Sequence, residues 1–507
     1  MGSTFAGLNT MVRGLNANQL SLSTVGHNIT NATTTGYSRQ VVNLVATPSE
    51  TTPTVYGDAQ LGTGVDASSI TRARDVYADK QFWSENSSQE YYNTRQTNYT
   101  KVEAIYSDTD STGLQSKLAD FWKSWQTLGT AGGGDSYTNR VSVCDKGNAT
   151  AQSINTYATG LQNQIKSEYN DMNLKVNQVN EITSQILSLN KSILQIEATG
   201  GTANDLRDQR DNQVDELSKY VKTNVQVNSN GSYSIISNGN TLVDSTNRLE
   251  LETVPVTNAD YGVTDYTLQI KATGTTYEPG NGSLKGLQDS IAENKDSMDD
   301  LSKMAGFFLT TFNDQHKAGY GIDSAATTGT NFFGTSGTSY TWDATNSQVK
   351  AGGTALSTID TIKALAVNTD LSTTAGKDLI ATRGKLADGT TTEGTAGTAN
   401  AVLLSSLFSK ASSTSTSLGT VSLNDYYTGL TSSLGSKSNA VDARVTQQTE
   451  IMTTVTNSRQ STSGVNWDEE LTNMLKFQQG YSASSRCLTT MDSMLDKLIN
   501  STGMVGR

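Results

Sequence analysis

The sequence is poor in the residues that build metal centres, disulfide frameworks and chain breaks. It contains two cysteines, two histidines and four prolines in 507 residues. Cys144 and Cys487 cannot form a disulfide framework, and no CxxC pair or histidine cluster is available for zinc. We expect both cysteines to be small packing residues. Because so few cysteines and histidines are present, we expect no metal or other cofactor. The scarcity of proline permits long uninterrupted helices, so we expect a helical protein.

Long apolar runs and basic clusters are missing as well. No stretch approaches the ~18 apolar residues of a membrane span, and polar residues such as Asn9 and Arg13 interrupt any candidate secretory signal. The net charge is −12 and the pI about 4.8, which argues against binding to nucleic acid or to an anionic membrane. These features alone predict a cytoplasmic protein, unless it is exported by a route that needs no cleaved signal.

The two ends of the chain carry apolar residues at alternating steps of three and four. This spacing places them on one face of a helix and is typical of helices that pair. The N-terminal seam consists of Leu8, Met11, Leu15, Leu22, Val25 and Ile29. The C-terminal seam consists of Met474, Phe477, Tyr481, Leu488, Met491, Leu495 and Leu498. Because burial of six apolar side chains is too little to order a lone helix of this length, we expect each seam to need a partner.

The middle of the chain alternates helical and extended patterns. Apolar residues repeat every seven from Leu161 to Ile196, which predicts a long coiled-coil-like helix, and a second helix, antiparallel to it, is predicted from Asp205 to about Lys222. Residues 224–282 switch to a period of two, and NVQVNSNGSYSIISNGNTLVD at their start contains two Asn-Gly steps between β-favouring runs, the usual signal of hairpins. Helical spacing returns at 284–316 and again from Leu423 to Ile499, with a break at SGVN. Apolar content is only 35%, while Ser, Thr, Asn and Gln are abundant, which suggests an elongated molecule or one that covers its apolar stripes only on assembly.

Two residue groups admit a chemical interpretation. Phe121, Trp122 and Trp125 could form a platform for carbohydrate or a nucleobase, but their helical spacing favours core packing. His316, in NDQHKAG, could act as a general base, but a basic residue in a last helical turn before Gly319 is the simpler interpretation. No nucleophile elbow or metalloprotease motif occurs, so we do not expect an enzyme.

The chain ends resemble a known family. GLNANQLSLSTVGHNITNATTTGYSRQ is similar to the N-terminal signature of bacterial flagellar axial proteins, which form the rod, the hook and the hook-associated structures. SGVNWDEELTNMLKFQQGYSASSRCLTTMDSMLDKLIN is similar to their C-terminal signature. Within this family, the members that join hook to filament have motifs similar to GYSRQ, to SGVN before DEE, and to FQQ. The interior segments LRDQRDNQVDELSKYV, GSLKGLQDS and NDQHKAG also resemble those members. The residues carried over as the family motif are Asn28, Asn31, Gly36, Tyr37, Ser38 and Arg39.

The resemblance implies a structural role and a set of partners. It implies export through the flagellar apparatus and location in the extracellular flagellum. It also implies self-assembly into a ring at the hook tip, in contact with the hook protein and a second hook–filament junction protein, and binding of an export chaperone beforehand. It implies an assembly interface made of the two seams. Thr33, Thr34 and Thr35 replace the Asn-Thr-Pro that is usual in the family, which predicts a looser turn before Gly36.

We therefore expect a mainly α protein with a β-rich insertion, of the α+β class. Its core would be a helical bundle or coiled coil formed by both chain ends. Residues 1–73 with 464–507 would be axial-core segments, disordered in the free monomer. Residues 74–320 with 421–463 would form a long-helix domain that includes the hairpins, and 321–420 a variable β-rich outer domain. A sibling hook or distal-rod protein, or a secreted adhesive protein on an axial framework, is the alternative.

Overall fold

The chain divides into two compact units in a computed structural model that describes residues 6–54, 57–106, 113–385, 393–411 and 416–501. The terminal unit comprises Met1–Gln89, Gln178–Glu250 and Gln448–Arg507, and the middle unit comprises Glu90–Asn177 and Leu251–Gln447. Within the described residues, no helix is both long and apolar enough to cross a membrane. Cys144 is buried and Cys487 is exposed.

Long helices dominate both units. Their bounds are α1 Ala6–Thr30, α2 Val76–Ile105, α3 Leu114–Leu128, α4 Tyr137–Ala198, α5 Asn204–Tyr220, α6 Gly282–Phe307, α7 Asn313–Ala318, α8 Thr358–Ala364, α9 Ala399–Ser406, α10 Leu423–Ser463 and α11 Trp467–Ser501. A π-helical turn at Phe308–Phe312 joins α6 to α7. The break that SGVN predicts lies between α10 and α11, as expected.

The strands form small antiparallel sheets. Their bounds are β1 Gln40–Ala46, β2 Glu50–Thr54, β3 Gly57–Leu61, β4 Val65–Arg72, β5 Asn224–Val227, β6 Tyr233–Ser237, β7 Asn240–Val243, β8 Leu251–Val256, β9 Asp265–Ile270, β10 Thr275–Thr276, β11 Tyr340–Asp343, β12 Gln348–Ala351 and β13 Thr354–Ala355. β1 pairs with β4 and β2 with β3, while the later strands form three meanders of neighbouring strands. The described part of residues 321–420 contains one meander, β11 to β13, together with short helices and irregular chain.

Both Asn-Gly steps turn the chain as the sequence predicts. Asn238 has a φ of 44° and Gly239 a φ of 86°, the left-handed pair that a tight hairpin between β6 and β7 requires. Gly231, with a φ of 80°, lies in the turn between β5 and β6. The predicted hairpins at 224–282 are confirmed.

The seven-residue repeat of α4 is confirmed by burial. Ile165, Met172, Val179, Ile186 and Ile193 are all at most 2% exposed. The helix starts 24 residues before the predicted 161–196, because no proline or glycine pair interrupts the chain between Gly134 and Gly200. α5 runs antiparallel to α4, as predicted, since Arg207 pairs with Glu197 at 2.7 Å and Arg210 donates to Asn190 at 2.9 Å.

The aromatic cluster of α3 belongs to the core of the middle unit. Phe121, Trp122 and Trp125 are at most 1% exposed. Their rings meet those of Phe312, 5.6 Å from Phe121, and Phe332, 5.5 Å from Trp125, in edge or tilted contacts. Core packing is confirmed here, and the platform interpretation of these three residues is wrong.

His316 is a neutral cross-link inside the middle unit. Its Nδ1 lies 2.7 Å from the Thr330 carbonyl oxygen and its Nε2 accepts from the Ala381 amide at 3.1 Å, so the proton is on Nδ1. Burial lowers the pKa of His316 to about 4. The residue does lie in the last turn before Gly319, but the expected charge–dipole role is wrong because the buried ring is uncharged.

A buried polar layer joins α2, α4 and α6. The Glu168 carboxylate accepts from Asn294 at 2.9 Å and from Gln164 at 3.1 Å, and Asn294 also donates to Asn98 at 3.0 Å. All four side chains are at most 8% exposed. Burial outweighs these hydrogen bonds and raises the pKa of Glu168 to about 7.

Replacement of Glu168 by glutamine is expected to change how the stability of the middle unit depends on pH. The pKa of Glu168 is higher in the folded protein than in the unfolded chain. Its contribution to the free energy of unfolding is therefore fully present at pH values below the ordinary carboxyl pKa, and it is lost as the pH rises to about 7. The glutamine amide cannot ionise, so E168Q should be more stable than the parent by up to about 3 kcal/mol at pH 8 and by less at pH 5. Thermal unfolding at both pH values measures the difference, with the exposed Glu103→Gln as control. Equal effects of E168Q at the two pH values would contradict it.

Candidate assembly site at the terminal helices

α1 and α11 pack against each other in antiparallel orientation. A Cβ on Gly7 would lie 3.1 Å from Met491 Cε, and a Cβ on Gly14 would lie 3.5 Å from Ser484 Oγ. At the other end of the pair, Asn28 Nδ2 donates to Glu470 Oε2 at 3.0 Å. Small residues in α1 therefore let the two helices approach closely along most of their length.

The two apolar seams lie along this helix pair and are mostly half-buried. In α1, Val25 is 4% exposed, whereas Leu8, Met11, Leu15, Leu22 and Ile29 are intermediate. In α11, Met474, Phe477, Tyr481, Leu488, Met491 and Leu495 are all intermediate. Leu498 lies within α11, but its side chain is outside the described part of the chain. The pair thus leaves part of each seam open to solvent.

The most buried face of α1 is built from small and polar residues instead. Ala17, Ser21, Thr24, Val25 and Asn28 form it, and they recur at steps of three and four. Ser21 and Thr24 bond back to carbonyl oxygens of α1, so their hydroxyl groups are satisfied. The spacing of large apolar residues therefore predicted contact through the neighbouring face of α1. Small side chains do not contribute to an apolar pattern, although they permit close packing.

α11 also presents large apolar side chains that α1 leaves exposed. Leu471 is 47% exposed and Leu475 is 61% exposed, one helical turn apart, and Met494 and Ile499 near the C-terminal end are 60% and 67% exposed. Large exposed apolar side chains, such as the neighbouring pair Leu471 and Leu475, are typical of an interaction site.

Asn28 ties the end of α1 to the chain that follows it. Its Oδ1 accepts from the Tyr37 hydroxyl at 2.7 Å and from the Gln40 amide at 2.9 Å, while Nδ2 donates to the Gln40 carbonyl at 2.9 Å. Burial, with a smaller contribution from Asp205, raises the pKa of Tyr37 well above its usual range, so the hydroxyl stays a donor. Asn31 caps α1 by donating to the His27 carbonyl at 3.0 Å.

Gly36 turns the chain beside α5. Its φ is +75°, and a Cβ there would lie 1.7 Å from Asn212 Oδ1. Asn212 also donates to the Thr35 carbonyl at 3.3 Å, so α5 holds the threonine turn from outside. This contact supplies a restraint on the turn where proline is absent. The position accepts only glycine on both backbone and steric grounds.

Ser38 and Arg39 connect this turn to α5 and α11. The Ser38 amide and hydroxyl donate to the two carboxylate oxygens of Asp208 at 2.9 Å and 2.6 Å. Arg39 pairs with Glu470 at 2.8 Å and with Glu469 at 3.2 Å, and its amide donates to the Ser463 carbonyl at 2.9 Å. Glu470 is 1% exposed, so this ion pair is shielded from solvent.

Three further arginines complete a buried ion network around Ser38. Arg72 bridges Asp208 at 2.6 Å and Asp211 at 2.7 Å. Arg74 pairs with Asp79 at 2.6 Å and donates to Ser38 Oγ at 3.2 Å. We define the motif joint as Asn28, Gly36, Tyr37, Ser38, Arg39, Arg72, Arg74, Asp79, Asp208, Asp211, Asn212, Asp215, Arg459 and Glu470.

Arg459 brings the end of α10 into the motif joint. It contacts Asp79 at 2.8 Å and Asp215 at 2.8 Å, and its guanidinium lies 4.4 Å from the centroid of the Phe82 ring. Trp83 Nε1 donates to the same Asp215 at 2.7 Å. The joint therefore connects α1, β4, α2, α5, α10 and α11 through charged groups.

Arg72 and Arg74 stabilise the charged form of Asp211, whereas burial outweighs Arg459 at Asp215 and raises the pKa of that carboxyl. Burial alone would raise the pKa of Asp211, but Arg74 and Arg72 more than offset this effect and hold it below its usual range. The stability that Asp211 contributes is therefore present above the ordinary carboxyl range and is lost as pH falls through its lowered pKa.

Several residues of the motif joint were missed by the sequence analysis. Asp208, Asp211 and Asp215 lie in a segment that the family resemblance covers, but no role was assigned to them. Their steps of three and four put these carboxylates on one face of α5, and this regular acidic stripe was the available signal. Arg72, Arg74 and Arg459 carry no comparable pattern in the sequence.

Gly36→Ala is expected to destabilise the terminal unit strongly. The left-handed backbone alone costs about 1–2 kcal/mol for a residue with a Cβ, and the clash with Asn212 adds to that. Gly26→Ala is the matched control, because a Cβ on Gly26 has no atom within 4 Å and alanine favours a helix. Thermal unfolding of the two variants measures the contrast. A G36A protein as stable as G26A would contradict the role given to this turn, and the double variant with Asn212→Ala should recover only the steric part.

Comparison with known proteins places these features in one family. Residues 99–333 match the Flagellar hook-associated protein FlgK helical domain, and residues 456–501 match the Flagellar basal body rod FlgEFG protein C-terminal region. The chain is 32% identical to Flagellar hook-associated protein 1 of Bacillus subtilis strain 168, over 100% of both chains. It is 27% identical to the protein of that name from Escherichia coli K12, covering 97% of this chain and 99% of the relative.

A solved structure agrees with the fold. The flagellar hook junction protein FlgK from Burkholderia pseudomallei superposes with a TM-score of 0.61 at 16% identity, covering 76% of this chain and 100% of that one. This similarity concerns the fold alone, whereas the full-length identity to the Bacillus relative settles the family. The chain belongs to the flagellar hook-associated protein 1 family.

Proposed function

We propose that this protein is the structural junction between the hook and the filament of a bacterial flagellum. The observation that carries the proposal is the terminal helix pair, which is anchored at one end by the motif joint and leaves apolar side chains exposed along α11. The motif joint fixes the direction of such a helix pair, and its exposed apolar side chains remain available for burial on assembly. Membership of the hook-associated protein 1 family supports the same role.

The partners follow from this location. The chain would self-assemble into a ring at the hook tip, contacting the hook protein on one side and a second junction protein on the other. The half-buried seams and the stripe of Leu471 and Leu475 are the surfaces we assign to contacts with the same helices of neighbouring subunits. Full-length similarity to hook-associated protein 1 favours the junction over a hook or distal-rod protein.

An export chaperone would cover the C-terminal seam before secretion. α11 offers an amphipathic surface in which the apolar residues repeat at steps of three and four, the pattern that a groove-shaped partner recognises. Because the same side chains would later contact neighbouring subunits, chaperone binding and assembly would exclude each other.

Deletion of the gene is the direct test of this function. Electron microscopy of the deletion strain is expected to show bare hooks, with filament protein shed into the medium, and the parental gene should restore filaments. Normal filaments on the deletion strain would overturn the proposal.

Leu475→Ser is expected to separate folding from assembly. Because Leu475 is 61% exposed, its replacement should change monomer stability by no more than about 0.5 kcal/mol, yet it should weaken the contact between subunits and reduce the number of filaments per cell. Leu174→Ser is the matched control, since Leu174 is also 61% exposed but lies in the middle unit. Both variants are expressed in the deletion strain and scored by microscopy. Equal filament numbers for the two variants would argue against α11 as an assembly surface.

Amide exchange tests the state of the free ends. In dilute monomer we expect residues 8–29 to exchange much faster than the buried repeat of α4, because the seam of α1 is only half-buried in the pair. Residues near Asn28 should be the best protected of this segment. Protection of residues 8–15 equal to that of α4 would contradict the proposal that assembly completes the fold.

A further inference from the structure

A polar cleft of about 430 Å³ lies in the middle unit. Its walls come from the loop before β9, from α6, from β11 and β12, and from the start of α8. The volume falls within the ~300–1,000 Å³ of ordinary ligand pockets. Nothing in the proposed junction function uses these residues.

Trp342 gives the cleft a flat apolar surface. Of the five tryptophans, Trp83, Trp122 and Trp125 are at most 3% exposed, and Trp467 belongs to α11. Trp342 is half-buried and lines the cleft from β11, where it pairs across the strands with Val349. Val349 is 1% exposed and, as the cross-strand partner, lies beside Trp342 on the same face of the sheet. An aromatic face that is held in place yet reached by solvent is suited to stacking against a ligand.

Asp299 is a fixed acceptor in the same cleft. The Tyr261 hydroxyl donates to its Oδ2 at 3.1 Å and the Thr358 hydroxyl donates to its Oδ1 at 2.7 Å. Each carboxylate oxygen keeps a second lone pair for a ligand hydroxyl group. Lys295 Nζ lies 5.2 Å from the centroid of the Tyr261 ring and helps to hold that ring.

Three further polar side chains of the cleft are open to solvent and make no hydrogen bond to the described protein. Among the described residues, no hydrogen bond involves the side chains of Asp260, Ser302 or Gln348, all of which line the cleft. The backbone around them is fixed, because the Ile359 amide donates to the Asp260 carbonyl at 2.9 Å. Asp343 accepts from the Thr345 amide at 3.0 Å and from Asn346 Nδ2 at 2.9 Å, which holds the turn before Gln348. A rigid rim of this kind lowers the entropy cost of binding.

We propose that this cleft binds a neutral oligosaccharide. One pyranose ring would stack its apolar C–H face on Trp342, while Asp299, Asp260 and Gln348 would bond its hydroxyl groups. Sugars combine a flat apolar face with a rim of hydroxyl groups, and the cleft offers the matching pair of surfaces. Two carboxylates against one lysine, Lys303, which is itself paired with Asp300, disfavour an acidic sugar. The net charge of −12 acts in the same direction.

The proposal is tested by titration of the full chain with defined sugars. Cellotriose, maltotriose, chitotriose and lacto-N-neotetraose serve as neutral probes, and 3′-sialyllactose and a heparin disaccharide serve as acidic ones. Saturation-transfer NMR and calorimetry should detect at least one neutral probe with a Kd of about 0.1–1 mM, with acidic probes weaker. Failure of every neutral probe to bind at about 10 mM, or preference for an acidic probe, would overturn it.

Variants of Trp342 locate the site. Trp342→Ala should weaken binding about tenfold or more, and Trp342→Phe, which keeps a ring, should weaken it less. Trp467→Ala removes an exposed tryptophan from the terminal unit and should leave the affinity within about twofold of the parent. Thermal unfolding of each variant monitors the fold, and W342F keeps the test valid if W342A unfolds. Undiminished binding in both Trp342 variants would overturn the assignment.

Discussion

The buried ion network around Ser38 is the constraint on which the terminal unit depends. Arg72, Arg74 and Arg459 are 10–14% exposed, and their carboxylate partners Asp208, Asp211 and Asp79 are 2–9% exposed. A buried ion pair adds little net stability, but loss of one member leaves an unpaired charge and costs about 3–5 kcal/mol. The network therefore restricts how β4, α2, α5 and α10 pack, because an arrangement that separates an arginine from its carboxylates would leave a buried charge unpaired.

The same constraint explains why order is unequal along the terminal helices. At the joint, Asn28 and Glu470 are each 1% exposed and hydrogen-bonded to each other. At the opposite end of the pair, Leu8 and Met11 are half-buried, and Met494 and Ile499 are at least 60% exposed. The joint sets the direction of α1 and α11, while the free end of the pair lacks enough buried surface to hold itself. Subunit contacts would supply that surface, so completion of the fold and assembly become one process.

The features that the sequence predicted correctly depend on neighbouring residues or on a regular spacing along one element. A seven-residue repeat in α4 and two Asn-Gly turns report directly on one helix face and on backbone conformation, and both appear where expected. The motif joint has no such cause. Its members are scattered from Asn28 to Glu470, and their pairing depends on how distant elements pack. The resemblance singled out Gly36, Ser38 and Arg39 as a motif without giving a reason, and the contacts with Asn212, Asp208 and Glu470 now supply one.

Aromatic residues show why residue type alone does not locate a binding site. Trp122 and Trp125 repeat at helical spacing and lie in the core, whereas Trp342 lies on a short strand with no apolar period around it. The cleft at Trp342 could not be found from the sequence because its walls come from segments 260, 299, 342 and 358, which meet only in the folded unit. No residue of the cleft belongs to the motif joint, so no buried charge there depends on Trp342 or Gln348. Changes in the cleft therefore leave the charge balance of the joint intact.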